Sequence, residues 1–138
     1  MTTESLWRLQ KAVYDALRAD TQLTALVSPD AVYDYVPASA PYPCIAFGDM
    51  RLKPFDTQQH QGFEADLTLD CYSRYAGNKE LQRISLAVHD VLHHRPLTVE
   101  DHTVVLVTSV GADFTLESDG ETRRLRLGFK IIFETNLN

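Results

Sequence analysis

His89 and His93 stand four residues apart in a stretch with helical periodicity, His94 follows directly, and His102 is close by in sequence. Two imidazoles at that spacing share one helix face and can chelate a divalent metal. The pattern goes no further: in His89-Asp90-Val91-Leu92-His93 an Asp stands where a zinc-protease helix carries its Glu, and no nearby carboxylate completes a ligand set. A solvated helix end is the plainer reading, because a protonated His is favoured at the carboxyl end of the helix dipole. Glu64, Asp66 and Asp70 fall on one face of an alternating strand. Paired carboxylates do acid–base work only where a cleft brings them together, so this stripe reads as solvated or interface-facing. Ser73 and Ser85 lack the glycines of a nucleophile elbow. Cys71 sits on the apolar side of its strand and reads as a buried structural thiol. Six scattered glycines form no phosphate-binding loop. Trp7, Tyr14, Tyr33, Tyr35, Tyr42 and Tyr75 do not interleave with a basic stripe, which argues against a base-stacking surface. The reading assigns no catalytic residue, no cofactor site and no metal site. His89, His93 and Asp90 define the enzymatic alternative, a small cytosolic metal-assisted hydrolase.

The elements that hold these side chains follow from periodicity. Leu6, Leu9, Val13, Ala16 and Leu17 predict a helix over 5–19, with Ser5 or Thr3 as its N-cap. Leu23, Leu26 and Val27 form a short second helical turn that Ser28-Pro29-Asp30 stops. Short strands are expected at 32–36 and 44–47, joined by a stiff proline-containing loop. Residues 48–61 lack a pattern and read as a long, functional or mobile loop carrying Arg51, Lys53, Phe55, Asp56 and Thr57. Strict alternation from Phe63 to Tyr72 gives the clearest strand. Asn78 then caps a helix over 79–93 whose buried side is Leu81, Ile84, Val88, Val91 and Leu92. Residues 103–110 form a β-branched strand too uniformly apolar to assign a face, extended past a bulge at Gly111. Ser118-Asp119-Gly120-Glu121 makes a tight hairpin turn into a return strand over 122–134. About 13 residues of strand reach on the order of 40 Å, so the hairpin tip is expected to project beyond the sheet. The fold class is α+β: a mainly antiparallel sheet with two main helices on one face and a long C-terminal β-hairpin.

A length of 138 residues fits one domain, expected to span 1–138, with room for a core that needs no covalent staple. Thirteen basic residues against nineteen acidic ones leave a formal charge of −6, which argues against tight nucleic-acid binding. The two cysteines show no metal spacing and suit a reducing compartment. No run suits a membrane helix, and the N-terminus lacks signal-peptide character, so no membrane role and a cytoplasmic site of synthesis are expected.

The order of several features carries a resemblance. Leu17-Arg18-Ala19-Asp20-Thr21-Gln22-Leu23-Thr24-Ala25-Leu26-Val27 closes the opening helices, and Val32-Tyr33-Asp34 leads to Ala40-Pro41-Tyr42-Pro43. Phe47-Gly48-Asp49 and Asp56-Thr57 precede a strand ending Leu69-Asp70-Cys71-Tyr72-Ser73-Arg74. After the helix from Lys79 to Leu92 comes the hairpin Ser118-Asp119-Gly120-Glu121-Thr122-Arg123-Arg124, with Leu127-Gly128-Phe129. Over its full length the chain resembles the phage tail-completion family, which includes tail terminators, tail-to-head joining proteins and relatives in gene-transfer particles. That resemblance implies a non-enzymatic virion protein of the tail or neck, assembled in the host cytoplasm. It implies a ring, six-membered in the family, with self, the tail tube protein and the head connector or stopper as partners. DNA would pass through the lumen without specific binding. Contact residues are inferred physically as Arg51, Lys53, Phe55, Asp56 and Thr57 of the 48–61 loop and Glu117, Asp119, Glu121, Arg123 and Arg124 of the hairpin tip. Free strand edges would pair between subunits. A neck or head-completion protein is the alternative in the same setting, and a monomeric adaptor for one cellular protein is another.

Overall fold

A computed structural model describes residues 3–136. Helix α1 spans Thr3–Ala19 and α2 spans Thr21–Thr24, with a 3-10 turn at Pro29–Ala31. The strands are β1 (Val32–Tyr33), β2 (Cys44–Pro54), β3 (Gly62–Ser73), β4 (His102–Leu116) and β5 (Arg123–Thr135), and α3 (Lys79–Leu92) lies between β3 and β4. The five strands make one sheet in the order β1-β2-β3-β5-β4, antiparallel except for the short β1–β2 pair. The α+β class holds, with β4 and β5 pairing as the C-terminal hairpin.

One face of the sheet is the core. Phe63, Ala65, Leu67, Leu69 and Cys71 of β3 and Leu125, Leu127, Phe129, Ile131 and Phe133 of β5 are all buried. Each apolar strand residue stands opposite another across the register, as in Leu67↔Phe129 and Leu69↔Leu127. Leu9, Val13 and Leu17 of α1 and Leu81, Ile84, Val88 and Leu92 of α3 close over this face, in the spacing that puts one helix stripe inward. Burial of side chains this size supplies about 1.5–3 kcal/mol each before chain entropy is charged against it.

Several expectations are corrected. Residues 48–54 are not loop: β2 continues to Pro54, so Arg51 and Lys53 sit in a strand opposite Asp66 and Glu64. A β-bulge between Phe47 and Met50 inserts one extra residue. Phe47 stands opposite core-facing Leu69, and Met50 and Leu52 opposite Leu67 and Ala65, so the period-2 signal slips by one at Gly48-Asp49 and looks like no signal at all. The irregular connection shrinks to residues 55–61. β1 covers only Val32–Tyr33 rather than 32–36. The tip of the last hairpin does not project as expected, since β3 flanks β5 from Gly62↔Glu134 to Ser73↔Arg123, and only the Glu117–Thr122 connection extends past the paired strands. That connection is wider than a two-residue turn: Glu117 N–H donates to the Thr122 carbonyl, and Gly120, at φ 72°, donates back to the Glu117 carbonyl. Ser5 lies inside α1 and its hydroxyl meets His102 Nε2 at 3.0 Å rather than capping the helix. Asn78 occupies the N-cap position of α3 without a side-chain cap bond, and instead accepts from Arg123.

Candidate functional site

The outer face of the sheet gathers the acidic stripe singled out in the sequence and pairs two of its three carboxylates. Glu64 accepts from Lys53 at 2.8 Å and lies 3.4 Å from Lys130, so β3 is flanked by cations from β2 and β5. The hydrogen bond from Lys53 holds the Glu64 carboxyl below its ordinary range against the opposing effect of burial, and Lys130 adds to it. Asp70, 5 % exposed, accepts from Arg126 Nε at 2.9 Å and Nη2 at 3.1 Å. That fork geometry fixes both side chains. Two of the three carboxylates of the acidic stripe, Glu64 and Asp70, are therefore held by cations of the neighbouring strands.

Phe55, Asp56 and Thr57 do sit in a connection, the one joining β2 to β3. Phe55 N–H donates to the Gly62 carbonyl, Asp56 Oδ1 accepts from Gly62 N–H at 3.1 Å, and Thr57 Oγ1 accepts from the His60 amide at 3.0 Å. The loop is thus tied by its own side chains, with the Phe55 ring exposed. Gly62 is required here, because any Cβ on it would run into the Phe55 carbonyl.

At the other hairpin, Asp119 Oδ1 accepts from the amides of Glu121 and Thr122, and Oδ2 accepts from the Thr122 hydroxyl at 2.7 Å. These bonds pull the Asp119 carboxyl down to about 2, the Thr122 hydroxyl being the largest cause. Arg124 Nε lies 3.3 Å from Glu117, and Arg123 reaches Asn78. Arg123 and Arg124 therefore brace the base of the tip, while Glu121 stands exposed on it. The structure does not bring the two predicted groups together. The 55–61 loop adjoins Gly62 and the 117–122 tip adjoins Arg123, at opposite ends of a β3–β5 ladder of roughly 40 Å.

The histidines do not converge on a metal, and among the described residues no group of three or more His, Cys, Asp or Glu side chains does so. His89, His93 and His94 stack ring on ring, with centroids 4.3 Å and 3.8 Å apart. His93 lies just past α3, and its Nδ1 accepts from the Ser109 amide of β4 at 3.0 Å, while His94 N–H donates to the Val107 carbonyl. Desolvation, then His94 and His89, lower the His93 pKa, contrary to the protonated helix end expected from the dipole. Cys71 is buried as expected, on a strand next to Cys44, and both thiols are free. Burial pushes the Cys44 thiol up to about 11 and raises Cys71 further, so neither is a ready nucleophile near neutrality.

Sequence reasoning missed the surface of β4. All seven residues from Val110 to Leu116 are exposed, and among the described residues β5 is the one strand that β4 pairs with. The bulge expected at Gly111 falls between Ser109 and Gly111, but a second irregularity at Val105 went unread, and the two throw apolar side chains outward.

Fold and surfaces thus define a small α+β subunit with an open strand edge and two internally tied loop tips at opposite ends of its sheet. A family described as Tail completion protein gp17 matches residues 11–134. The Tail completion protein gp17 of Bacillus phage SPP1 is 31% identical over 117 residues, 83% of this chain and 84% of that protein. In solved structures, a chain from the virion of a native gene transfer agent particle superposes with a TM-score of 0.87 at 27% identity, covering 96% of this chain and 99% of that one. The structure of the bacteriophage SPP1 gp17 protein is similar at a TM-score of 0.57 and 26% identity, over 100% of this chain and 96% of that one. The chain belongs to the tail completion protein gp17 family, and its role is that of a structural tail-completion protein.

Proposed function

We propose that this chain is a non-catalytic virion subunit that forms a ring, six-membered as in the resemblance first noted, closing the head-proximal end of a tail tube and joining it to the head connector. The observation that carries this reading is the placement of the 55–61 loop and the 117–122 tip at opposite ends of one stiff ladder. A part that joins two different neighbours needs one contact at each end, and the continuous β3–β5 ladder transmits position between them. The loop offers Phe55 with Asp56 and Thr57, and the tip offers Glu117, Asp119 and Glu121 braced by Arg123 and Arg124. One of these ends meets the tube protein and the other the connector or stopper. The protein resides in the tail or neck of the particle, as a single domain over its length. A formal charge of −6 per copy makes a ring that lets DNA pass without specific binding.

The test is complementation of particles lacking this chain, read by electron microscopy. Without it, heads and tails are expected to accumulate apart, and the wild-type chain to restore joining with a ring at the tube end. Replacing residues 56–60 by a Gly-Ser linker should abolish one of the two contacts, and replacing 118–121 the other, so that the two variants stall at different steps. Joined, infectious particles from both variants would overturn the two-ended reading.

A further inference from the structure

The segment between α3 and β4 lies along the sheet edge that β4 leaves open. It starts from Leu92 and is caught again at Val99, both buried, while His94, Arg95 and Pro96 between them are exposed. His93 and His94 plug the middle of the edge. Ser109 N–H donates to His93 Nδ1 at 3.0 Å, and His94 N–H donates to the Val107 carbonyl at 2.8 Å. A groove of about 310 Å³ separates His94, Arg95 and Pro96 from residues 104–107, so the segment is not packed tightly on the strand. The far end is tied differently. His102 Nδ1–H donates to the Glu100 carbonyl, which can only accept, so Nε2 takes the Ser5 hydroxyl at 3.0 Å. Arg8 adds an ion pair to Asp101 at 2.7 Å. If His102 takes up a proton, the Ser5 oxygen can accept in turn and the tie survives. Among the described residues, the two with positive φ that are not glycine, His94 (56°) and Asp101 (60°), mark the two ends of this segment.

The near end has no such reserve. A His93 that accepts at Nδ1 carries its hydrogen on Nε2, and a further proton can go only to Nδ1, where it meets the Ser109 N–H. The His93 ring also stacks on His89 and His94, with centroids 4.3 Å and 3.8 Å away. Neighbouring rings charged together would repel across that distance. The other charges beside the stack are Asp90, 3.9 Å from His89 Nδ1, and Arg95, whose Nε donates to the Asp90 carbonyl. Where β4 and β5 line the groove beside His89 they present Ser109, Gly111, Ala112, Leu127 and Phe129, none of which titrates. Desolvation and the two neighbouring rings hold His93 below the ordinary histidine range.

We infer that residues 93–96 form a proton-released strap: with His93 neutral it lies closed on the β4 edge, and proton uptake by the His89–His93–His94 stack lifts it. The ties at Val99 and His102 hold the far end while the near end moves. The Val107 carbonyl and the Ser109 N–H then join the open edge, and His94 is freed from its left-handed backbone. The edge is interrupted by its own chain near neutrality and continuous in acid. Closure is complete above the ordinary histidine pKa and weakens as pH falls from there towards the lower value of the closed strap, by up to about tenfold per pH unit. The device is built from contacts within one chain and does not depend on the ring.

Amide exchange followed by NMR on the purified full chain, corrected for the intrinsic rate, tests this between about pH 7.5 and 5. Protection of the His94 amide should fall in step with the titration of the His93 ring, while the amides of Leu67 and Leu69 in β3 stay protected. His93→Asn sets an oxygen that does not titrate in the place of Nδ1, and should keep His94 protected over the whole range. His93→Gln takes its place if that variant does not fold. His89→Gln removes one stacked ring, lets His93 take its proton more easily, and should move the loss of protection to higher pH. His94 protection that ignores the His93 titration overturns the strap. So does a His93→Asn variant that loses protection as the wild type does, or a loss that takes β3 with it. An unmoved midpoint in His89→Gln overturns the part given to the stack.

Discussion

Asp119 organises the hairpin tip by accepting three bonds from two residues, and its carboxyl titrates at about 2 because the charged form makes those bonds. A carboxyl depressed in the folded state stabilises it above its unfolded pKa, roughly 3.9. The contribution fades as pH falls from there through about 2. Carboxyl-detected NMR should place the Asp119 midpoint near that value, and Asp119→Ala should speed amide exchange at Glu121 and Thr122 while leaving β5 protected; an ordinary midpoint would remove Asp119 from the tip's design. Arg126 has a different role. Its truncation to Ala strands the Asp70 carboxylate, which is almost wholly buried against the sheet. Leaving a buried charged acceptor without its partner costs about 1–3 kcal/mol, discounted here because Arg126 itself is half-exposed. Urea unfolding should show that loss for Arg126→Ala, and Asp70→Asn/Arg126→Ala together should recover part of it. Neither role was visible in the chain by itself. Asp119-Gly120 announced a turn but not which groups the carboxylate would hold, and Asp70 was grouped with Glu64 and Asp66 because sequence gives strand parity but no strand order.

α1, α3 and β3 were legible because each keeps one unbroken period over about a dozen residues, as Leu9, Val13 and Leu17 do at every fourth position. β2 beyond Phe47 was not, because a bulge at Gly48-Asp49 flips its parity; β4 was read as a strand with a bulge at Gly111, but its faces were not legible, because irregularities at Val105 and Val110 shift its parity twice. The edge position of β4 is a tertiary fact, and with it the exposure of Phe114 and Leu116. So is the plug on that edge. Ser109 donates to His93 Nδ1, which can accept only while the imidazole is unprotonated there. His93 holds a pKa below 6.5 in the fold. As pH falls through about 6.5 the unfolded chain takes up the proton first, so folding stability is complete at higher pH and declines below that value until the folded pKa is passed. Corrected for the intrinsic rate, the protection of the Ser109 amide should fall as the pH drops through that window and on to the folded pKa, and His93→Ala should leave it weakly protected at every pH. Protection of Ser109 that ignores pH in the wild type would show that another group closes the edge.

Seen as a whole, the subunit presents like charge to its own copies, since every one carries a formal −6. The open edges of the sheet are apolar, whereas its outer face carries charge pairs such as Lys53–Glu64 and Arg126–Asp70. Two consequences oppose each other with distance. At low ionic strength the copies repel over a Debye length of about 30 Å at 0.01 M, while the apolar contact acts only once they touch. Raising the salt to about 0.15 M shortens that range to about 8 Å and should leave the contact itself unweakened. Association into the proposed ring should therefore strengthen as sodium chloride is raised across this interval, with heavier species appearing at lower protein concentration. An assembly held by charge pairs between copies would respond with the opposite sign. Sedimentation in a salt series thus separates an edge that joins through its apolar side chains from one that joins through its charges, and dissociation on adding salt would rule out the former.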